Sequence, residues 1–145
     1  MISVKIIGVT GPTGAGKTTL LLQAEKLGGA AIDCDLVYHE ILESDIALQE
    51  RLEAMFGPLR DESGVVDRKK LGTLVFGDPE KMAQLNAVAQ QATVDRTRQL
   101  VEEYRRQGRE LVVIDAFALM ESGLGELCDF TIAVMAPPEV RVARI

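Results

Sequence analysis

The residues with the most specific chemistry stand in "GPTGAGKT", Gly11 to Thr18. Their spacing is that of the phosphate loop, G-x-x-x-x-G-K-[ST], in full. Gly11, Gly14 and Gly16 let the backbone turn several N–H groups inward. They also remove the Cβ atoms that would hold a phosphate away. Lys17 is placed to reach the β and γ phosphates of ATP and so to serve the transfer step, and the Thr18 hydroxyl is a ligand for the magnesium that bridges them. On this reading Gly11, Thr13, Gly14, Ala15, Gly16, Lys17, Thr18 and Thr19 contact the nucleotide. The stretch follows an apolar run and opens a helical one, as a loop of this kind needs to do.

A second group of chemical residues follows in "AIDCDLVYHE". Asp33 and Asp35 are two apart, so within a strand they face the same side. The carboxyl end of a strand in a parallel sheet lies beside the ligand crevice. A carboxylate there accepts a proton from an attacking hydroxyl or holds magnesium through water. Asp35 also directly precedes the helical pattern "LVYHEIL", and Asp is a favoured N-cap. Asp115, closing "LVVID", suits a magnesium contact beside the loop or a cap on the next turn. His39 reads as a surface or packing residue, and Arg68 and Lys69 as part of a solvated helix face or as contacts for acceptor phosphates. Cys34 and Cys128 fit no metal spacing and read as two reduced thiols of a cytoplasmic protein.

These residues need elements to carry them. "VKIIGVT" (4–10), "AAID" (30–33), "ELVVIDA" (110–116) and "DFTIAVMA" (129–136) are short β-branched or apolar runs, read as buried strands. From Lys17 the pattern is helical, with Leu20, Ala24 and Leu27 on one face and Gly28-Gly29 to close it. Residues 36 to 107 carry almost no strand signal. There "LVYHEILES" and "DIALQERLEAMFG" are amphipathic, and Asp67 caps "RKKLGTLV". Asp78, Pro79 and Gly108 bracket one long helix or two nearly collinear ones, with Met82, Leu85, Ala89 and Ala92 facing inward and Thr93-Val94 as its weakest point. A last helix begins at Pro137 or Pro138. Alternation of strands and helices predicts an α/β fold, a phosphate-loop kinase core with a parallel sheet flanked by helices. Residues 1–39 and 108–145 form that core, and 40–107 a helical insert.

The chain has 145 residues and a formal net charge of −6. That length carries one domain with a real core. Its acidity disfavours broad contact with nucleic acid or an anionic membrane surface. No apolar run approaches the roughly 18 residues of a membrane helix. The start, "MISVKIIGVTG", lacks the features of a signal peptide.

In order and spacing, "GVTGPTGAGKTT", "LGGAAIDCDLVYHEIL", "GVVDRKKLGTLVFGDPEKMAQLNAVA", "ELVVIDAFALMESGL" and "CDFTIAVMAPPEVRVARI" resemble the dephospho-coenzyme A kinases, over nearly the whole chain. The phosphate loop is shared with many kinases; the "IDCD" and "DR…L…VFGDPE…L" runs are more specific. The resemblance implies transfer of the ATP γ-phosphate to the ribose 3′-hydroxyl of dephospho-coenzyme A, the last step of coenzyme A synthesis. It implies Asp35 as base for that hydroxyl, and the helical insert as the part that holds the acceptor. The chain departs from the family pattern at Gln90-Gln91, where the family often has His-Pro, and after Asp115, where it often has Pro. The family also runs on past Ile145 into a lid with an arginine and a final core strand, so the expectation is a chain lacking both. Another small-molecule kinase on this core, or a nucleotide-binding fragment without catalysis, are the alternative readings.

Overall fold

The computed structural model describes residues 3–12, 15–116 and 122–144. Its described residues divide into two compact units, Met1–Asp35 with Val94–Ile145, and Leu36–Thr93. Against the bounds 39/40 and 107/108 read in the sequence, the helical unit begins earlier, at Leu36, and ends earlier, at Thr93, where the rest of the long helix counts with the first unit.

The first unit is built on four parallel strands: β1 (Lys5–Thr10), β2 (Ala30–Asp33), β3 (Leu111–Asp115) and β4 (Phe130–Ala133), in the spatial order β2-β3-β1-β4. Helix α1 (Lys17–Lys26) carries the chain from β1 past β3 to β2. From β3 the chain passes a short 3₁₀ turn, Leu124–Leu127, and pairs as β4 on the far side of β1. Neighbouring strands β1 and β3 thus send their connections in opposite directions. A crevice opens at such a point, outside the carboxyl ends of the strands.

Packing explains why α1 stays in place. Leu21 and Ala24 are buried with Val9 and Val113, and Ile7, Leu20, Ala31, Leu111 and Val134 pack around them. A Leu or Val side chain contributes about 1.5–3 kcal/mol when fully buried. Helix α1 ends at Lys26, and Gly28 takes a φ of 88° to turn the chain toward β2. Leu27 was expected on the inner face of α1; it lies beyond the helix end and is 81% exposed.

Strand β4 departs from expectation too. The run reads like β3, yet all four of its residues are exposed, Phe130 by 63%. Among the described residues it lies at the edge of the sheet, paired with β1. After it, α6 (Pro138–Arg144) begins at the second of the two prolines.

The second unit is helical. It takes most of α2 (Cys34–Ser44), then α3 (Ile46–Phe56), α4 (Arg68–Val75) and the first part of α5 (Pro79–Arg106). Side-chain caps set the starts. Asp45 accepts from Leu48 N, Asp67 from Lys69 N and Lys70 N, and Asp78 from Glu80 N and Lys81 N. Between α3 and α4, Asp61 accepts from Ser63 N and Val65 N and shapes a turn bridged by Arg60 and Val66. Helix α5 is continuous over 28 residues through Thr93-Val94, where the Thr93 hydroxyl donates to Ala89 O. Its buried residues include Leu85 and Val88, whereas Met82, expected to face inward, is 38% exposed. Met82 lies in the first turn of the helix, where the apolar pattern outruns the packing.

Candidate active site

The phosphate loop starts where β1 ends. Gly11 has a φ of 149°, and a Cβ there would collide with Val134 O. The loop therefore leaves β1 pressed against the chain that follows β4, which Val134 N ties to Thr10 O at 2.8 Å. Thr13 and Gly14 lie outside the described residues. The chain is described again at Ala15, which is buried, and Gly16, which takes φ 109° and caps α1 in the left-handed region. Gly16 has no side chain to spend on the first N–H groups of α1, and no intrahelical carbonyl reaches them. They face outward from the positive end of the helix dipole, where an anion binds best. Lys17, Thr18 and Thr19 form the first turn, with both threonines exposed.

Lys17 does more than head the helix. Its Nζ lies 3.3 Å from Asp115 Oδ1, with only 16% and 14% of the two side chains exposed. The pairing follows from register, since Val9 of β1 stands beside Asp115 of β3. On the other side Asp33, the last residue of β2, stands beside Asp115 as well. Three strand ends thus bring the loop, Asp115 and Asp33 to one level.

Asp35 is not where strand alternation would put it. β2 stops at Asp33, and α2 begins at the next residue. Asp35 therefore sits in the first turn of a helix, exposed, and does not share a strand face with Asp33. Nor is Asp35 the cap. Asp33 Oδ1 accepts from Asp35 N at 3.0 Å, so the earlier carboxylate closes the helix start and leaves that of Asp35 for other work.

The carboxylates act on one another. Burial raises the Asp115 pKa above the usual carboxylate range; Lys17 pulls it down by charge and hydrogen bond, and Asp33 and Asp35 push it up. Against these three carboxylates stands the Lys17 ammonium. Cys34, between the two aspartates, is buried and its thiol is pushed up to about 11, first by burial, while a bond to Thr97 acts the other way and the same three carboxylates add to the rise. It is a neutral thiol, not a nucleophile.

The structure therefore brings together Lys17, Asp33, Asp35 and Asp115, and places Thr18 and Thr19 at the start of the same helix. His39, Arg68 and Lys69 are exposed. Sequence reasoning missed the Lys17–Asp115 pair and the Thr97 contact, because neither partner is near the other in the chain. The nearest available signal was that Asp115 closes a buried strand, a costly place for a carboxylate without a task. Among the described residues no three His, Cys, Asp or Glu side chains converge as a metal cage, and no helix is long and apolar enough to cross a membrane.

A model of the dephospho-CoA kinase family matches residues 5–145. The dephospho-CoA kinase of Dehalococcoides mccartyi is 36% identical over 136 residues, which is 93% of this chain and 68% of that one. The dephospho-CoA kinase of Bacillus licheniformis is 33% identical over 97% of this chain and 70% of its own. A crystal structure from Thermus thermophilus matches with a TM-score of 0.73 at 33% identity, over 97% of this chain and 70% of that one. Matched by the family model over residues 5–145 and at 33–36% identity by relatives over most of its length, the chain belongs to the dephospho-CoA kinase family.

Proposed function

We propose that the chain transfers the γ-phosphoryl group of ATP to the ribose 3′-hydroxyl of dephospho-coenzyme A, giving coenzyme A and ADP. One observation carries the residue roles: a helix start open to anions, a lysine and three carboxylates meet at one end of one sheet.

The helix start and the loop backbone hold the triphosphate, and Lys17 moves its charge between Asp115 and the β and γ oxygens. Thr18 and Asp115 supply hard oxygen donors beside a site whose carboxylates outnumber its ammonium, which suits magnesium. When bound, the ion would supply positive charge to offset the negative charge on the phosphates. Asp35 accepts the proton of the ribose hydroxyl while the hydroxyl oxygen bonds to the γ phosphorus and the bond to the ADP oxygen breaks. Asp33 holds the helix start from which Asp35 projects. The helical unit Leu36–Thr93 is assigned to the acceptor. A reaction on two small molecules fits a cytoplasmic enzyme with no nucleic-acid or membrane partner.

The test is product analysis with ATP, magnesium and dephospho-coenzyme A. The expected product carries one added phosphate, on the ribose 3′-oxygen. Phosphate released to water alone, or placed on another alcohol in preference, would overturn the assignment.

A further inference from the structure

Two polar side chains are buried among the described residues, Gln49 and Thr97. Gln49 is explained locally, since its amide donates to Leu42 O at 2.8 Å. Thr97 has no exposed surface and lies on α5. Its Oγ1 is 3.7 Å from Cys34 Sγ, a contact across 63 positions of sequence and inside one compact unit. A buried hydroxyl costs free energy unless it is bonded.

What lies at the other end of the contact gives it a use. Cys34 is the first residue of α2 and the residue between Asp33 and Asp35. Its side chain is buried, while its two neighbours are exposed. The bond from Asp35 N to Asp33 Oδ1 closes a ring with Cys34 inside it. Fixing the Cys34 side chain therefore restrains the backbone at the helix start, from which both neighbours project. Cys34 stays a neutral thiol there and adds no charge to the carboxylates around it.

We infer that Thr97 is a positioning residue for phosphoryl transfer: through Cys34 it holds the start of α2 and so aims the Asp35 carboxylate at the acceptor hydroxyl. The inference rests on Asp35 being the base. Loss of one such bond is worth a few-fold in rate, because a net hydrogen bond contributes about 1 kcal/mol, and a small misplacement of a catalytic group slows the chemical step.

The experiment is steady-state kinetics with ATP, magnesium and dephospho-coenzyme A on Thr97→Val, Thr97→Ser, Cys34→Ala and the Thr97→Val/Cys34→Ala pair, each also made in an Asp35→Asn background. Thr97→Val and Cys34→Ala are each expected to lower kcat about five-fold with KM for ATP unchanged. The double variant should lose no more than either single one, and Thr97→Ser should keep most of the rate. On Asp35→Asn the same changes should do nothing further to kcat. If Asp35→Asn alone keeps a wild-type kcat, the base reading fails and takes this inference with it. If Asp35→Asn is crippled while Thr97→Val and Cys34→Ala turn over normally, only the positioning role is overturned. Should Thr97→Val not fold, Cys34→Ala and Thr97→Ser decide the matter alone.

Discussion

Two junctions at the same end of the sheet turn a strand into a helix, and they treat the free N–H groups of the helix in opposite ways. Between β1 and α1 the chain spends a glycine loop and enters the helix through Gly16, which has no side chain to offer. Between β2 and α2 no loop intervenes, and the Asp33 carboxylate takes up the Asp35 N–H at once. The first junction keeps its positive end for an incoming anion. The second adds negative charge, Asp35 included. Phosphoryl transfer needs both: charge neutralisation for the donor phosphates and a carboxylate for the acceptor proton. Asp115, between the two in the sheet, feels them both, as its contacts with Lys17 on one side and Asp33 on the other show.

That contrast can be attacked from either side. Lys17→Ala strikes the anion side. It is expected to weaken ATP binding by roughly ten- to a hundred-fold, the worth of a charge-assisted hydrogen bond, while the backbone N–H groups keep the loop in shape. Calorimetry with ATP and magnesium checks this; unchanged affinity in a folded variant would show that the ammonium serves Asp115 instead. Asp33→Ala strikes the carboxylate side. Loss of this helix cap should cost about 1 kcal/mol in denaturant unfolding and lower turnover a few-fold, with ATP affinity kept. A variant as stable and as active as the wild type would remove Asp33 from the account.

The smallest effect lies between the two junctions, at Asp115. Its pKa is raised in the folded protein. The folded state then holds that proton more tightly than the unfolded state does. The stability linked to Asp115 is present below its unfolded value, near pH 4, and is lost as pH rises through the folded one. Asn at this position has no such slope. Asp115→Asn should therefore gain stability relative to the wild type between about pH 4 and neutrality, even as it loses activity. Unfolding curves across that range test it, and a gap that stays constant or moves the other way would contradict the carboxylate coupling.

Much of this was legible from particular residues. The loop spacing fixed β1, α1 and their junction. Asp78, Pro79 and Gly108 bracketed α5, because caps and breakers act locally. The exposure of β4 was not legible in the run itself. Phe130, Thr131, Ile132 and Ala133 have the composition of a core strand, yet they lie at a sheet edge, and edge position depends on sheet order rather than on the run itself. Asp35 was singled out for its carboxylate but through the wrong local geometry: strand alternation was carried two residues past Asp33, where β2 ends and the next residue begins α2. The Lys17–Asp115 pair and the Cys34–Thr97 contact are tertiary, and no local period encodes them.

The central claim is that one junction holds the donor and the other activates the acceptor. Asp35→Asn tests it most directly, with turnover and ATP binding measured on the same preparation. Turnover with dephospho-coenzyme A should fall by roughly a hundred-fold or more, the usual contribution of a general base, and ATP affinity should stay within a factor of about two, since an exposed carboxylate in the α2 turn is no part of the anion-binding junction. Turnover within a few-fold of the wild type, or a matching collapse of ATP affinity, would contradict that division of labour.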